Sequence, residues 1–410
     1  MSAHVPKPAR RPYGRVRGIA AVATVVSLLA LTLLIGCRPA KAPVIVTPQS
    51  DASNASGASN AATATADAAG SDAAGDALPQ TADAATDGSG VSTATPDVRI
   101  VCVGDMTFSR SGARSMGDPD DLLAAVRKRL ADADITYGNL ETPLSSRGKP
   151  ADKQYTFRGP ISAAAALARA GFDVVSVANN HSLDYGRTAF ADTIDALEDA
   201  GVTPVGGGAD RDAAWAPVIV KANGARVAFL AFSEITPVDF AATSTRSGCA
   251  YTQDFAAVRS AVKAAAQTAD YTVVAMHWGI ENNYTPTARQ VKEGRALIKA
   301  GADAVLASHP HVLQGVEFYR DGLIAYSMGN FVFSPGAASG RDSAILHLTL
   351  TADGVDAVSA TPVHLDTFAP KPQKGASGKR VLKILKKGSV ARGTQVSIND
   401  AGSRATFKPK

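Results

Sequence analysis

The sequence is poor in cysteine, which limits the chemistry available to it. Cys37, Cys102 and Cys249 are the three cysteines of the 410-residue chain. Because no group of thiolates is present, a metal site in this chain would have to use other ligands. A disulfide between Cys102 and Cys249 is one interpretation. The other, which we favour because Cys102 lies in an apolar run, is that it is a small core residue.

The central part of the chain also lacks a strong excess of charge. The formal net charge is +5, and basic residues are concentrated in the first seventeen and the last forty positions. Because the centre is close to neutral, the charge does not indicate a nucleic-acid partner. The length, with 45% apolar and 19% charged residues, allows one large domain or two small ones.

Residues 1–37 are typical of a targeting segment. Four arginines precede an uninterrupted apolar stretch, Gly18 to Gly36, which ends in a small residue followed by Cys37. This pattern resembles a bacterial lipoprotein signal, so we predict cleavage and lipidation at Cys37. The alternative is an uncleaved signal anchor, since the stretch is nearly long enough to span a bilayer. Both interpretations predict a membrane-anchored protein of the cell envelope, facing the extracytoplasmic side.

Residues 38–96 have almost no aromatic or large apolar side chains. They consist mainly of alanine, serine, threonine, aspartate and glycine. Such a segment cannot bury enough apolar surface to offset the entropy of ordering it. We therefore predict a disordered linker that holds a domain away from the membrane.

From residue 97 onward, apolar runs alternate with amphipathic segments, which predicts a layered α/β fold. The predicted strands are 98–103, 135–137, 173–177, 227–232, 271–276, 304–306, 344–350 and 355–362, and the predicted helices are 121–131, 162–170, 190–200, 255–268 and 287–300.

Polar residues suited to metal binding follow five of these apolar strands. In α/β folds, ligand and catalytic groups gather at the carboxyl ends of the strands, so we predict a shared metal centre there. Imidazole, amide and carboxylate ligands suit zinc, manganese or iron, with Glu141 or Asp105 as the bridge if two ions bind. The predicted ligands are Asp105, Glu141, Asn180, His277, His309 and His311.

Other polar residues near these strand ends are candidates for catalysis and substrate binding. His181 follows a predicted ligand and could protonate a leaving group, with Asp184 orienting its ring. Arg110 and Arg158 could bind a carboxylate or phosphate; the alternative is a surface ion pair. Trp278 and Tyr284 could line a groove or pack in the core.

Several motifs in this order resemble the CapA family of bacterial capsule and poly-γ-glutamate synthesis. The motifs are Gly104-Asp105 with Arg110, Gly138-Asn139-Leu140-Glu141, Asn179-Asn180-His181 with Asp184-Tyr185-Gly186, His277-Trp278-Gly279 with Glu281, Pro286 and Gln290, Ser308-His309-Pro310-His311, and Tyr326-Ser327-Met328-Gly329-Asn330-Phe331. The resemblance covers about residues 98–365.

The resemblance implies a metallophosphoesterase-like fold over residues 97–370: a two-sheet β-sandwich flanked by helices, in four α/β/β/α layers. It gives the six predicted ligands the metal positions and His181 the general-acid position. We add Asp184 and Arg110 as catalytic candidates, and Arg110, Arg158, Trp278 and Glu281 as substrate-binding candidates. Thr107 stands where that superfamily has histidine, and Glu141 where it has aspartate. The site therefore lacks one imidazole, and we expect one or two ions.

Three functions follow from these expectations. The first is an envelope protein of capsule or poly-γ-glutamate synthesis or export that acts on the anionic polymer, together with membrane subunits of a synthesis complex. The second is a secreted metal-dependent phosphoesterase, against which the missing histidine argues. The third is a non-catalytic polymer-binding scaffold, against which the retained ligands argue.

The last forty residues, 371–410, form a predicted basic extension. They contain eleven lysines and arginines and one acid, Asp400. Residues 379–387 have the pattern of a short basic amphipathic helix, which could lie near an anionic membrane or polymer. The alternative is a solvated tail.

Overall fold

The computed structural model describes residues 95–109, 116–334 and 338–410. The predicted signal segment with Cys37, nearly all of the predicted linker, and Arg110 lie outside the described residues. In the described part of the chain, no helix is long and apolar enough to cross a membrane.

The described residues form eighteen strands and eight α-helices. The strands are β1 (Val98–Met106), β2 (Ile135–Leu140), β3 (Val174–Ser176), β4 (Thr203–Val205), β5 (Gly207–Gly208), β6 (Val218–Ala222), β7 (Ala225–Ser233), β8 (Gly248–Cys249), β9 (Tyr271–His277), β10 (Ala304–Ser308), β11 (Val316–Tyr319), β12 (Gly322–Ala325), β13 (Asn330–Val332), β14 (Asp342–Thr351), β15 (Gly354–Asp366), β16 (Ala369–Pro372), β17 (Gln395–Ile398) and β18 (Ala405–Lys408). The helices are α1 (Pro119–Leu123), α2 (Arg127–Leu130), α3 (Ser162–Ala170), α4 (Gly186–Asp199), α5 (Arg211–Trp215), α6 (Phe255–Ala265), α7 (Ala288–Lys299) and α8 (Gly375–Val390).

The strands form two large sheets and one small one. The ten-stranded sheet has the order β17-β18-β15-β14-β1-β2-β3-β4, with β13 paired to β1 and β16 to β15. The six-stranded sheet has the order β11-β12-β10-β9-β7-β6, and β5 pairs with β8. In the first sheet β1 to β4 are mutually parallel, and in the second β7, β9, β10 and β12 are parallel. Each large sheet therefore has an edge where several strand ends meet.

Alternating apolar side chains explain how the sheets pack. One face of β1 and β2 joins one face of β7, β9 and β10 in a shared core that includes Cys102, Tyr137 and Phe229. The opposite face of β1 packs on α1 to α4, and the opposite faces of β7 and β9 pack on α5 to α7. This arrangement confirms the predicted four-layer α/β/β/α sandwich.

Most predicted elements agree with the structure to within a few residues. The predicted helix 162–170 coincides with α3, which ends at Gly171 in the left-handed conformation (φ 96°) that glycine tolerates. The predicted helix 121–131 is interrupted. It forms α1 and α2, separated at Val126, where φ of −113° departs from helical values while the side chain is buried.

Residues 371–410 are built into the sandwich. The two strands β17 and β18 extend the ten-stranded sheet through β15. Helix α8 buries Val381, Leu382 and Leu385 in the core between the sheets. Since burying each such side chain contributes about 1.5–3 kcal/mol, the helix is held by its apolar face and is not part of a solvated tail. Its lysines lie on the outside.

The starts of the parallel strands, which we call the amino edge, share one hydrogen-bonding device. An aspartate directly precedes the strand, accepts the N–H of the second residue of the neighbouring strand, and donates its own N–H to the carbonyl of that residue. The pairs, with side-chain distances, are Asp134–Arg99 (2.9 Å), Asp173–Thr136 (2.8 Å), Asp270–Arg226 (2.6 Å) and Asp303–Thr272 (2.7 Å). The device recurs in both sheets and fixes the register of four strand pairs.

Both described cysteines are buried and free, so the structure does not contain the disulfide that was one interpretation of the sequence. Burial raises the pKa of the Cys249 thiol to about 12 and that of Cys102 further. Both thiols are therefore protonated, and Cys102 is a core residue, as we predicted.

Candidate metal centre

The opposite ends of these parallel strands, the carboxyl edge, bring the predicted ligands of both sheets together. The ten-stranded sheet supplies Asp105 near the end of β1, Glu141 just after β2 and Asn180 after β3. The six-stranded sheet supplies His277 at the end of β9, and His309 and His311 after β10. The sandwich thus faces oxygen ligands from one sheet with imidazoles from the other.

Asp105 is positioned by a close approach of two backbones. At Gly104 a Cβ atom would lie 1.8 Å from the carbonyl oxygen of Gly329, so a larger residue would separate the strands. The Asp105 N–H donates to that carbonyl at 2.9 Å. The fully buried carboxylate accepts from the Asn139 amide (2.8 Å) and the His309 N–H (3.2 Å). Asp105 therefore links both sheets.

Glu141 is a fully buried carboxylate without hydrogen-bond donors. Neither of its oxygens has a hydrogen-bond partner among the described residues. Two imidazoles face it: Nε2 of His277 lies 3.3 Å from Oε1, and Nδ1 of His311 lies 3.9 Å from Oε2. Burying a carboxylate that accepts no hydrogen bond is costly, so this carboxylate is suited to a cation.

The segment from His309 to His311 has an unusual backbone. His309 and His311 have φ of 97° and 57°, in the left-handed region that non-glycine residues rarely adopt. Such conformations cost about 1–3 kcal/mol each and occur mainly at functional sites. The His311 ring is held by the Asn330 side chain, whose Oδ1 lies 2.9 Å from Nδ1. The loop therefore presents both rings in defined directions.

His277 joins the two halves of the centre. Its Nε2 lies 2.8 Å from Oδ1 of Asn180, and its Nδ1 lies 3.5 Å from Nδ2 of Asn139. Its ring centre is 5.0 Å from that of His309, and the His309 and His311 rings are 5.7 Å apart. All six predicted ligands are thus connected by short contacts.

The charges of the centre shift the pKa values of its members. Burial lowers the pKa of His309 well below its usual range, and the nearby His277 and His311 act in the same direction. Burial would also lower the pKa of His311, but the charge of Glu141 and the hydrogen bond to Asp105 raise it to about 10. Burial would raise the pKa of Asp105, but His311 and its other partners lower it. His309 is therefore neutral, the form that binds metals.

One triad has the geometry of a metal site. Ligand atoms of Glu141, His309 and His311 all lie within 4.8 Å of one another. Nδ1 of His309, like the Glu141 oxygens, is buried without a hydrogen-bond partner in the described part of the chain. Two imidazoles and a carboxylate match the ligand preferences of zinc, manganese and iron. These residues therefore fit a divalent metal ion.

His181 lies beside this centre in a network of its own. Its Nδ1 is 2.6 Å from Oδ2 of the fully buried Asp184, and its ring stacks on Phe157 at 4.1 Å. Lys153 donates to Oδ1 of Asp184 (2.7 Å) and to the carbonyl of Asn180 (2.6 Å). An Nδ1–H donated to Asp184 leaves Nε2 as the nitrogen for proton exchange.

The candidate substrate-binding residues have different surroundings. Trp278 is fully buried in the core between the six-stranded sheet and its helices, and its indole donates to the Tyr326 carbonyl at 3.2 Å. Its assignment to substrate binding was wrong, because its side chain points into the core. Arg158 donates to the carbonyls of Ser146 (3.3 Å) and Gly148 (3.2 Å).

These contacts, and a position 3.4 Å over the Tyr185 ring, fix the Arg158 guanidinium within the protein, which differs from a surface ion pair. Glu281 is exposed in the loop whose Asn282 N–H donates to the Pro310 carbonyl at 2.8 Å. For Arg158 and Glu281 a role in substrate binding stays a prediction, as it does for Arg110.

Three residues of the centre had no assigned role from sequence. Asn139 and Asn330 belong to the quoted motifs, so their position beside strand ends was a usable signal. Lys153 lies in an irregular stretch without apolar periodicity. Nothing in its local sequence indicates an ion pair with Asp184, 31 residues away.

Together, the fold and the site define an α/β/β/α sandwich with a candidate metal centre where two sheets meet. The family model described as bacterial capsule synthesis protein PGA_cap matches residues 99–335, more than half of the chain. The chain belongs to this family, which confirms the predicted resemblance.

Curated relatives agree with this assignment. The chain is 34% identical over 298 residues to the capsule biosynthesis protein CapA of Bacillus anthracis, covering 70% of this chain and 72% of that protein. It is 32% identical over 296 residues to the PGA biosynthesis protein CapA of Bacillus subtilis (strain 168), covering 70% and 77%. Among solved structures, the NAD nucleotidase of Haemophilus influenzae matches with a TM-score of 0.41 and 11% identity, covering 71% and 56%.

Proposed function

We propose that this protein acts in the cell envelope in the synthesis or export of capsule or poly-γ-glutamate, on the anionic polymer itself, through a divalent metal at the carboxyl edge. The names of its relatives support the process. The observation that carries the proposed chemistry is the buried Glu141 carboxylate, which has no hydrogen-bond partner among the described residues and faces imidazoles of the other sheet.

Glu141, His309 and His311 would hold the first ion, and Asp105, Asn180 and His277 complete the proposed ligand set for one or two ions. A bound zinc, manganese or iron ion would supply Lewis-acid polarisation of a substrate carbonyl or phosphoryl oxygen. The closed packing of both sheets around the ligands limits the access of water and strengthens local electrostatics.

We assign proton transfer to His181. Asp184 accepts from Nδ1 and holds the ring, while Lys153 neutralises the buried carboxylate and fixes its orientation. Because the proton on Nδ1 is held in place, Nε2 takes up or releases the proton that a leaving group or nucleophile requires. In this proposal His181 is a catalytic residue, and Asp184 and Lys153 are positioning residues.

The test is polymer cleavage by the purified full chain. Poly-γ-glutamate of defined length is incubated with protein loaded with manganese, zinc or iron, and its length is followed by size-exclusion chromatography. We expect shortening that a chelator abolishes and that His309→Ala lacks, while His347→Ala, which changes a histidine outside the centre, retains it. A metal-loaded wild type that leaves the polymer intact contradicts a polymer hydrolase and favours the scaffold function.

A phosphomonoester assay on the same samples separates the remaining alternative. Hydrolysis of p-nitrophenyl phosphate together with an intact polymer would identify a phosphoesterase. We expect polymer cleavage without hydrolysis of p-nitrophenyl phosphate, because Thr107 stands where phosphoesterases of this type have a metal-binding histidine.

We also propose attachment to the membrane through lipidated Cys37, which would bring the domain close to membrane subunits of a synthesis complex. Cys37→Ser should abolish labelling with a fatty-acid analogue and leave a longer, unprocessed precursor. An unchanged mature mass in this variant would instead identify a signal anchor.

A further inference from the structure

A basic groove lies where α7 meets the end of α8. We define the basic groove by Lys292, Arg295 and Lys299 of α7 together with Lys387 and Arg392. It consists of two adjoining hollows of about 580 and 400 Å³, which share Pro286 and Arg392. Val291, Tyr319 and Ile384 contribute apolar floor.

The charge of this groove is one-sided. None of the described residues that line it is an aspartate or glutamate. Of its five cations, Arg295 alone has an ion-pair partner within the described residues, Glu317 at 2.6 Å. Buried Nε of Arg392 has no hydrogen-bond partner there either. The groove therefore holds an uncompensated positive charge beside an unused donor, which favours an anionic ligand.

The arrangement of the cations suits an extended chain. Lys292, Arg295 and Lys299 are at positions i, i+3 and i+7 and so lie along one face of α7. At 1.5 Å per residue, the outer two are roughly 10 Å apart along the helix. Lys387 lines the adjoining hollow, and Arg392 lines both. A row of separated cations matches a ligand with regularly repeated negative charges better than one compact anion.

The groove is connected to the candidate metal centre through one loop. Tyr284, Thr285 and Pro286, which line its second hollow, belong to the loop that follows His277. This loop contacts the other histidine segment, since Asn282 donates to the Pro310 carbonyl at 2.8 Å. Tyr284 donates to the carbonyl of Ser339 at 3.4 Å. The groove therefore adjoins the carboxyl edge through the loop that follows His277.

We propose that the basic groove binds a linear polycarboxylate chain and aligns it with the metal centre. This inference rests on the proposed action on an anionic polymer, and it assigns the polymer a binding track separate from the residues that hold the metal. Lys387 near the end of α8 contributes to this track, and the opposite face of the helix is anchored in the core.

The experiment measures binding of fluorescently labelled poly-γ-glutamate to the full chain in neutral detergent by fluorescence anisotropy. The groove variant carries Lys292→Gln, Lys299→Gln and Lys387→Gln, three exposed changes that leave the Arg295–Glu317 pair intact. The matched control carries Lys379→Gln, Lys383→Gln and Lys386→Gln, which remove the same charge from exposed positions of α8 outside the groove.

We expect the groove variant to bind roughly tenfold more weakly, from three exposed charge contacts of ordinary strength, and with a weaker dependence on salt. The control variant should bind within about twofold of wild type. Free glutamate at the same carboxylate concentration should compete poorly, because a chain engages several cations at once. Equal affinity of the groove and control variants would overturn the proposal.

A variant of the metal centre separates this proposal from the proposed function. His309→Ala should lose metal but still bind the polymer several-fold more tightly than the groove variant does. If the metal centre proves inert but the groove variant loses the polymer, the groove assignment stands alone. If the wild type does not bind the polymer at all, the groove assignment is wrong, whatever the metal centre does.

Discussion

One buried carboxylate at the carboxyl edge differs from the aspartates at the amino edge of the same parallel strands. At the amino edge, Asp134, Asp173, Asp270 and Asp303 each accept a backbone N–H from the neighbouring strand. At the carboxyl edge, Glu141 is fully buried and accepts no hydrogen bond from the described residues. Both sets belong to the same sheets and are acidic. The difference teaches that a buried carboxylate without hydrogen-bond donors, such as Glu141, is a stronger sign of a binding function than a strand-end carboxylate as such.

The largest effect we expect distinguishes two histidines at the carboxyl edge. His181→Ala should keep its metal and its fold but lose about 100- to 10,000-fold in rate, the usual cost of removing a general acid. His311→Ala should lose the metal as well. Polymer cleavage measured beside metal content by mass spectrometry checks both. Equal loss of metal in the two variants would make His181 a ligand.

The second prediction exchanges one carboxylate at each edge. Mutating a residue that only hydrogen-bonds a metal ligand lowers metal affinity roughly 10- to 100-fold. Because Glu141 is itself a proposed ligand, Glu141→Gln should weaken metal binding by more than this. The free energy of unfolding of chelator-treated Glu141→Gln should fall, because His311, 3.9 Å away, loses one of the two carboxylates that face it. Titration with a metal-sensitive dye and denaturant unfolding measure the two quantities.

Asp173→Asn is the matched variant at the amino edge. It should bind metal like the wild type and lose about 1–3 kcal/mol of stability, since a charged acceptor of the Thr136 N–H is replaced. If this variant loses metal while Glu141→Gln keeps it, the comparison between the edges fails.

The third prediction concerns Lys153, the partner of the buried Asp184. Lys153→Met should lower the free energy of unfolding by about 3 kcal/mol, because removing one member of a buried pair leaves the other charge uncompensated. Metal content should be unchanged, and the pH profile of cleavage should shift, because a positive charge beside the His181–Asp184 pair is removed. Lys149→Met, at an exposed position of the same stretch, serves as control. An unchanged pH profile would remove Lys153 from the positioning role.

The smallest effect lies at the amino edge and depends on pH. Burial raises the pKa of Asp303 to about 6. Because this pKa is higher in the folded state than in the unfolded state, the protonated carboxyl favours folding. That contribution is complete at a pH below the unfolded-state pKa and is lost as the pH rises through about 6. Between pH 4 and 7 the unfolding free energy of the wild type should fall by about 2 kcal/mol relative to Asp303→Asn. A constant difference across this range would contradict the raised pKa.

The elements that organise the carboxyl edge could be predicted because their strands are long apolar runs. The residues just after those runs, such as Glu141 and His277, therefore had a known place in a parallel sheet. The short strands at the sheet margins, such as β11 and β17, have four residues each, too few for a distinct pattern. They were missed for that reason.

Contacts between segments that are distant in the sequence are the second feature that could not be predicted. Trp278 follows His277 directly, and sequence alone does not say which of two neighbours at a strand end faces the core. Lys153 meets Asp184 only after the chain between β2 and α3 has folded across the site. Both outcomes depend on tertiary packing, which local periodicity does not encode.

The paired aspartates at the amino edge have a practical consequence for protein design. Because they fix how neighbouring strands align from the end remote from the centre, the loops at the other end can be exchanged without that alignment being lost. A designer could therefore keep the sandwich and its aspartates as a constant frame, and graft loops with new ligands in place of residues 278–287 or 309–315.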